Sequence, residues 1–333
     1  MRRSAVDFYQ CPYTGSPLRL EAAAGEAVAV GRLVGSDARQ FEIVDGIPRL
    51  FDPAAEKLGE EERREHAYYQ EAARTYDAVM DWVFRSFYED EDTVRGRMID
   101  LLELKPGARV LETGAGTCRD TVHLARRVGP GGTVFVQDLS AAMLAVGRER
   151  MAASGSDRTE FFVGNAAHLP FPDGTFDAAF HFGGINLFTD QARAIAEMAR
   201  VVRVGGKVVF GDEGVAPWLR DKPHGQILMN SNRLYKYSPP IGCLPEAARD
   251  TCVRWFLGNA YYTIDFRVGD GPPKLDLDLP ILGARGGTHR TRFYGVLEGV
   301  TPEAKAMAER AARASGLSVH EWLDRAVRAA AAT

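Results

Sequence analysis

The feature that most constrains the fold is an alternation of short apolar runs with longer amphipathic stretches between residues 108 and 211. The apolar runs predict five strands, at residues 108–112, 133–137, 159–163, 176–181 and 206–211. The stretches between them have apolar residues at helical spacing, at residues 118–127, 140–153 and 190–203. Strands that alternate with helices of this length predict an α/β fold, a Rossmann-like doubly wound sheet that is mostly parallel and covered on both faces.

The chain on either side of this alternation has a different character. Short apolar stretches broken by Gly, Pro and Ser, such as "FEIVDGIPRLF", predict a small N-terminal β-rich module at residues 1–55. The predicted segments that follow are a helical linker or cap at 56–104, the sheet domain at 105–300 with a lid insertion at 214–244, and a C-terminal helical hairpin at 301–333. Within the last two segments we expect a helix at 245–257 and strands in "AYYTIDFRV" and "RTRFYGVLEG", the second being the antiparallel last strand of the sheet. We also expect a capping box formed by Ser318 and Glu321.

Composition narrows the classes of protein. The chain has 333 residues, 45% of them hydrophobic, and a formal net charge of −4. This charge gives no general attraction to nucleic acid, so no nucleic-acid partner is expected. No apolar run approaches the roughly 18 residues that a membrane span needs, and the start "MRRSAVDFYQ" lacks the apolar core of a secretion signal. With four scattered cysteines and no disulfide framework, a cytoplasmic location is expected.

A glycine-rich loop follows the first predicted strand, in "RVLETGAGTCRDTVHLA". Gly114 and Gly116 stand where the strand ends and the next helix begins, and glycine there lets a ligand approach the backbone closely. Asp138 ends the second strand about 20 residues later, where a carboxylate can accept hydrogen bonds from ribose hydroxyls. It could instead cap the following helix, a role that Ser140 could fill equally well. Glu112 would repel a pyrophosphate and attract a cationic amino group.

Four motifs in this order resemble those of the class I S-adenosylmethionine-dependent methyltransferases. They are "VLETGAG", "VQDLS", "GNAAHLPFPDGTFD" and "EMARVVRVGGKVV", and they are most similar to the small-molecule branch that includes the ubiquinone and menaquinone biosynthesis methyltransferases. The resemblance extends over residues 68–300. It implies S-adenosylmethionine as the cofactor, no metal ion, and transfer of a methyl group by in-line displacement to a small-molecule acceptor.

The same resemblance implies roles for individual residues. The methionine part of the cofactor would be held by Glu112 and the backbone of the loop, the ribose by Asp138, and the adenine by side chains and backbone after the second and third strands. His181 would lie beside the sulfonium. The complete set of predicted cofactor-binding residues is Glu112, Thr113, Gly114, Ala115, Gly116, Asp138, Leu139, Met143, Asn165, Ala166 and His181. The family often has Asp where this chain has Asn165.

The acceptor pocket is predicted between the helices of residues 68–102, the end of the fourth strand at 181–188, and the lid. Methyl transfer from a sulfonium requires alignment of the reacting atoms, exclusion of water and, for some acceptors, removal of a proton. The predicted catalytic residues are His181, Tyr235 and His224, and Tyr237 and Asp212 are further candidates as proton acceptors or orienting groups.

The cysteines leave a second enzyme class open. The stretch "GTCRDTVHLARRVGPGGTV" is similar to arsenite methyltransferases, which bind arsenic(III) through thiolates. Cys118, Cys243 and Cys252 would be the thiols available for such a site. The alternative is that Cys252 is simply buried on the predicted helix 245–257.

Both ends of the chain leave further alternatives open. "CPYTGSPLRL" resembles the zinc-ribbon-like domains of some methyltransferases, including rRNA-modifying ones, so an RNA-base methyltransferase is a second hypothesis. Zinc needs four ligands, whereas Cys11 stands alone and Thr14 occupies the partner position, so no metal is expected. The C-terminal segment resembles ribbon–helix–helix proteins, which would make the chain a non-enzymatic regulator. The competing interpretation is a helical hairpin that supports the lid or a homodimer.

Overall fold

The computed structural model describes residues 1–156, 158–294 and 300–332. The chain divides into two compact units, Met1–Pro272 and Pro273–Thr333. The predicted sheet domain, 105–300, therefore extends across this division. The larger unit contains every predicted cofactor-binding residue.

The N-terminal module is a four-stranded antiparallel sheet in which each strand pairs with the next along the chain. Its strands are β1 (Leu18–Glu21), β2 (Gly31–Gly35), β3 (Gln40–Val44) and β4 (Ile47–Pro48). Alternation is clearest in β3, where Phe41 and Ile43 are buried and their neighbours are exposed. The predicted β-rich module is therefore present.

Three helices lead from this module to the main sheet, α1 (Glu60–Ala72), α2 (Tyr76–Ser86) and α3 (Glu91–Asp100). Helix α3 begins after Asp90, whose side chain accepts a hydrogen bond from the backbone N–H of Thr93. Helix α1 has three glutamates in its first turn, which suits the positive end of the helix dipole. Helix α1 contains no buried residue, whereas α3 contains five, so the helices differ in how deeply they pack.

The main sheet has seven strands in the spatial order β10-β11-β9-β8-β5-β6-β7. The strands are β5 (Arg109–Thr113), β6 (Thr133–Asp138), β7 (Thr159–Val163), β8 (Phe176–Phe182), β9 (Val202–Glu213), β10 (Ala248–Phe256) and β11 (Tyr261–Val268). The helices between them are α4 (Arg119–Val128), α5 (Ala141–Ala153), α6 (Gln191–Val201) and α7 (Pro223–Ser231). Among the described strands of this sheet, only β11 runs in the direction opposite to the others, so the predicted antiparallel strand is present but is formed by "AYYTIDFRV" and not by "RTRFYGVLEG". Because β6 and β8 flank β5, the strand order reverses there, and the carboxyl ends of these strands meet at one edge.

The N-terminal module shares its hydrophobic core with the main sheet. Phe41 and Ile43 belong to the same buried cluster as Phe135 and Phe162. The backbone N–H of Leu50 donates to the carbonyl of Val163 on the edge strand β7, 2.7 Å away. The module therefore continues the edge of the sheet next to β7 instead of standing apart from it.

Two sequence predictions after the lid were wrong. The predicted helix at 245–257 is strand β10, which places Cys252 opposite Asp265 of β11. Its residues include Thr, Cys, Val, Trp and Phe, which favour strands, and pairing with β11 overrides the helical spacing. The predicted strand "RTRFYGVLEG" begins within helix α8 (His289–Tyr294), and its residues 295–299 lie outside the described part of the chain.

The C-terminal unit contains α8 and two longer helices, α9 (Pro302–Ala314) and α10 (Val319–Ala331). Helices α9 and α10 pack against each other, so the predicted hairpin is present. The capping box is confirmed: the hydroxyl of Ser318 accepts from the backbone N–H of Glu321, and the carboxylate of Glu321 accepts from the backbone N–H of Ser318. The ribbon–helix–helix interpretation needs a strand before these helices, and residues 290–294 of that segment are helical instead.

Candidate functional site

A large cavity opens at the carboxyl edge of the parallel strands. The space between its walls is about 1380 Å³, part of it open to solvent. Its walls come from α1 and α2, from the loops after β5, β6, β7 and β8, from the end of β9, and from the lid. Six carboxylate side chains and two arginines line it, so the lining favours a cationic ligand. The carboxylates are Glu62, Glu65, Asp120, Asp138, Asp212 and Glu213.

The loop after β5 forms one wall with its backbone. Gly114 and Gly116 both have left-handed backbone angles, with φ of +61° and +54°. A Cβ atom on Gly114 would lie 2.8 Å from Cε1 of His181, closer than real atoms approach. Cys118 shares the left-handed conformation, and its Sγ lies so close to Gly147 that this glycine has no room for a side chain. The loop therefore requires small residues, as its sequence predicted.

Asp138 is held at the mouth of this loop by two backbone donors. Its carboxylate accepts from the N–H of Gly116 at 2.8 Å and from the N–H of Ser140 at 2.7 Å. Burial raises the pKa of Asp138, and these hydrogen bonds act in the opposite direction. Ser140 is the cap of α5, because its hydroxyl accepts from the N–H of Met143. Ser140, and not Asp138, therefore caps this helix, and Asp138 lines the cavity.

The structure brings most of the predicted cofactor-binding residues together. Those that line the cavity are Gly114, Ala115, Gly116, Asp138, Leu139, Met143, Asn165 and Ala166. The other three, Glu112, Thr113 and His181, are buried and do not line the cavity. Glu112 is buried and accepts a hydrogen bond from the hydroxyl of Thr121. Nδ1 of His181 donates to the carbonyl of Thr113 at 2.8 Å, and burial lowers the pKa of this histidine, so it is neutral.

Asp120 and Arg95 were missed by the sequence analysis. Asp120 is buried and lines the cavity; its Oδ2 accepts from Nη1 of Arg95 at 2.5 Å. Its Oδ1 is also buried and has no hydrogen-bond partner among the described residues. A buried carboxylate oxygen without a donor is costly, so this atom marks a position where a ligand donor fits. The sequence does show Asp120 as an acid in the first turn of α4. Its partner Arg95 lies 25 residues earlier, so local spacing could not reveal the pair.

Another part of the cavity lining is aromatic and carries a further carboxylate. Tyr69, Tyr76 and Tyr261 line this end, with Glu213 at the end of β9. Burial, and the neighbouring Asp212, raise the pKa of Glu213 well above its usual range. Asp212, a candidate from the sequence, also lines the cavity, and its carboxylate accepts from the backbone N–H groups of two residues after β8 and so fixes that loop.

The lid residues chosen from the sequence lie elsewhere. The side chain of His224 is exposed, and Tyr235 is buried with its hydroxyl 3.3 Å from that of Tyr261. Neither lines the cavity. The lid is attached to α1, because Arg233 forms ion pairs with Glu61 and Glu65.

Two further site classes were searched for in the described residues. Across 1–156, 158–294 and 300–332, no group of three or more His, Cys, Asp or Glu side chains could hold a metal ion. In the same ranges, every helix is too short or too polar to cross a bilayer. All four cysteines are free thiols; Cys11 and Cys118 are buried, and Cys243 and Cys252 are half-buried.

Comparison with known proteins bears directly on this cavity. Residues 57–213, which include the glycine loop, Asp120, Asp138 and Glu213, match the ubiE/COQ5 methyltransferase family. A demethylmenaquinone methyltransferase of Bacillus cytotoxicus is 37% identical over 148 residues, 44% of this chain and 61% of the relative. The ubiquinone/menaquinone biosynthesis C-methyltransferase UbiE of Hahella chejuensis is 36% identical over 149 residues, 44% of this chain and 57% of the relative.

Among solved structures, a SAM-dependent methyltransferase from Aquifex aeolicus aligns with a TM-score of 0.39 and 18% identity, over 52% of this chain and 89% of that one. The matched stretch spans about three fifths of the length of the two curated relatives. The predicted resemblance to S-adenosylmethionine-dependent methyltransferases of the ubiquinone and menaquinone group is confirmed by the family match and by these relatives. The similarity to the ubiE/COQ5 methyltransferase family is carried by residues 57–213, a little under half of the chain.

Proposed function

We propose that the protein transfers a methyl group from S-adenosylmethionine to a small aromatic acceptor of the quinone type, in its reduced, hydroxylated form. The observation that carries the proposal is that one cavity has two kinds of lining, which we call its two ends. One end has backbone and carboxylates suited to a cationic nucleoside, and the other has an aromatic wall with a carboxylic acid. The names of the relatives, demethylmenaquinone methyltransferase and C-methyltransferase, support an acceptor of this class.

The first end fits the cofactor on three counts. The unpartnered Oδ1 of Asp120 is placed to accept from the cofactor's ammonium group, with the cationic Arg95 beside it. Asp138 has carboxylate lone pairs left after its two backbone bonds, and these suit ribose hydroxyls. The adenine would lie between Leu139 and Met143 on one side and the Asn165 turn on the other. When bound, S-adenosylmethionine supplies an electrophilic methyl group on a good leaving group.

The second end would handle the acceptor and its proton. Tyr69, Tyr76 and Tyr261 would stack with an aromatic ring and exclude water from the reaction. Glu213 in its ionised form would take the proton of a ring hydroxyl, which makes the ring electron-rich as the new bond to the methyl carbon forms. Its raised pKa suits this role, because a base works best when its pKa approaches that of the proton donor.

Methyl transfer to a ring carbon then balances without a further reactant. The carbon–sulfur bond breaks as the new carbon–carbon bond forms, and the sulfur keeps the electron pair. The ring carbon then loses its proton in regaining aromaticity, and the protonated Glu213 returns the hydroxyl proton to the ring oxygen, so that one proton is released overall. The chain's residues contribute alignment, an apolar enclosure and a proton acceptor, and no metal enters the step.

The experiment that tests this proposal offers the purified protein isotopically labelled S-adenosylmethionine with a panel of reduced naphthoquinones, benzoquinones and simple phenols. Mass spectrometry should detect the label on at least one reduced quinone. Label on none of the panel, with cofactor binding intact, would refute the acceptor class. Arsenite and a transfer RNA mixture belong in the same panel, since a labelled arsenical or base would establish one of the alternatives.

The remaining predictions about location and assembly are part of this proposal. We propose a cytoplasmic enzyme that acts on a small molecule without nucleic acid, and a homodimer as its assembly. Light scattering of the purified chain measures the assembly directly. A mass of one chain, 36.5 kDa, would refute the dimer.

A further inference from the structure

We infer that Glu56, at the end of the N-terminal module, is a positioning residue that sets the orientation of the Asn165 amide and thereby selects adenine over other purines. The inference rests on the proposed cofactor and goes beyond it, because it assigns a role in base selection to a segment outside the matched family domain. The boundary of that match, residue 57, lies directly after Glu56.

The contacts around Glu56 form a short chain from the module to the cavity. Glu56 is 7% exposed, and its Oε1 accepts from the hydroxyl of Tyr13 at 2.5 Å. Its Oε2 accepts from Nδ2 of Asn165, also at 2.5 Å. The Tyr13 oxygen in turn accepts from the backbone N–H of Asp52 at 2.8 Å. Tyr13 and Asp52 both belong to the N-terminal module, whereas Asn165 lines the cavity.

These partners fix which way the amide of Asn165 points. A carboxylate only accepts hydrogen bonds, so the amide nitrogen must face Glu56. On its other side, Oδ1 of Asn165 accepts from the backbone N–H of Ala167 at 2.9 Å, which only donates. A flipped amide would place oxygen against a carboxylate and nitrogen against an N–H. Two independent neighbours therefore hold the same orientation.

The orientation matters because an asparagine can serve a purine edge in two opposite ways. With its nitrogen facing Glu56, the side chain presents to a ligand the second lone pair of Oδ1, beside the one N–H of the amide that Glu56 does not use. That lone pair accepts from an exocyclic amino group, as on adenine. It repels the carbonyl oxygen that replaces this group in hypoxanthine. Because Glu56 fixes the amide in this orientation, Asn165 offers the ligand a hydrogen-bond acceptor. An aspartate, which the family often has at this position, would do the same.

The Tyr13 contact predicts the effect of an isosteric change. In Glu56→Gln, the amide oxygen continues to accept from Tyr13, and the amide nitrogen then faces Asn165. The nitrogen of Asn165 no longer has an acceptor there, so the flipped orientation becomes competitive. We expect the affinity for S-adenosylhomocysteine to fall about five- to tenfold, the effect of losing one hydrogen bond between neutral groups. Affinity for S-inosylhomocysteine should stay the same or rise.

A second substitution should restore the selection. In the double variant Glu56→Gln/Asn165→Asp, the amide nitrogen again has a carboxylate to donate to, with donor and acceptor exchanged. The carboxylate at position 165 can still accept from Ala167 and from the adenine amino group. Asn165→Asp alone places two carboxylates within hydrogen-bond distance and should weaken binding.

The experiment measures the dissociation constants of both ligands by calorimetry for the full-length wild type, Glu56→Gln, the double variant and a control. The control is Glu42→Gln, an exposed glutamate on β3 of the same module. The wild type should prefer the adenosyl ligand, Glu56→Gln should lose most of this preference, and the double variant should regain it. If Glu56→Gln does not fold, Tyr13→Phe removes the donor on the far side of Glu56 and should reduce the preference less.

An unchanged ratio of the two constants in Glu56→Gln would overturn the inference. An equal loss for both ligands without rescue would do so as well, because it would show a merely structural role. Failure of the wild type to bind the adenosyl ligand would be a different result, since it refutes the proposed cofactor itself.

Discussion

The two ends of the cavity are assembled in different ways. At the cofactor end, the loop after β5, Asp138 and Asn165 each follow directly from a strand of the parallel sheet, and backbone N–H groups hold the side chains in place. At the acceptor end, the walls come from α1, α2, the lid and β11, segments far apart in the sequence. The first end is set by the sheet itself, whereas the second depends on tertiary packing. From this contrast we expect the cofactor end to be the more rigid part of the site.

The largest expected effect concerns the acceptor end. Glu213→Gln should lower kcat about 10²- to 10⁴-fold, the usual contribution of a general base, and leave the affinity for S-adenosylmethionine unchanged. Because the raised pKa of Glu213 keeps it protonated at low pH, wild-type kcat should rise with pH as the carboxyl ionises. The glutamine variant should lack this rise. Steady-state kinetics across pH check it, with the exposed Glu246→Gln as the control.

The next effect concerns the cofactor end. Asp138→Ala should weaken S-adenosylmethionine binding by about 1–3 kcal/mol, the cost of losing a charged hydrogen bond. It also leaves the N–H groups of Gly116 and Ser140 without their acceptor. Calorimetry measures the affinity. Unchanged affinity would show that Asp138 does not bind the cofactor, and the proposed difference between the two ends would then be wrong.

The rigidity of the cofactor end can be tested through its backbone. Gly114→Ala should destabilise the fold by about 1–3 kcal/mol, because alanine is strained at φ of +61° and its Cβ would press on His181. Gly242→Ala in the lid is the matched control, since nothing lies within 4 Å of a Cβ there. Urea unfolding of both variants gives the comparison. Equal stabilities would show that the loop is not constrained.

The smallest effect concerns the attachment of the lid. Arg233 is 45% exposed and Glu61 is 39% exposed, so breaking their ion pair should cost about 1 kcal/mol or less. Arg233→Ala should raise the KM of the acceptor and leave cofactor affinity unchanged. Arg328→Ala, which breaks an exposed pair with Asp324 in the C-terminal unit, is the control. A loss of cofactor affinity in Arg233→Ala alone would show that the lid supports the other end.

The sequence predicted the parallel sheet, and the grouping of the loop glycines and Asp138 at one cavity, for a physical reason. Strand and helix periods are local signals, and the loop glycines and Asp138 follow strand ends within a few residues. Asp120 and Glu213 were missed because their significance depends on burial and on partners elsewhere in the chain, Arg95 for the first and Tyr69 and Tyr261 for the second. Strand β10 was mistaken for a helix because pairing with β11, and not local spacing, decides its conformation.

The co-crystal structure of the full-length chain with S-adenosylhomocysteine tests the central claim most directly. The ribose hydroxyls should bond to Asp138, the adenine amino group should face Oδ1 of Asn165, and the ammonium group should meet the Oδ1 atom of Asp120. The nucleoside bound elsewhere, or the cavity without it at saturating concentration, would contradict the account.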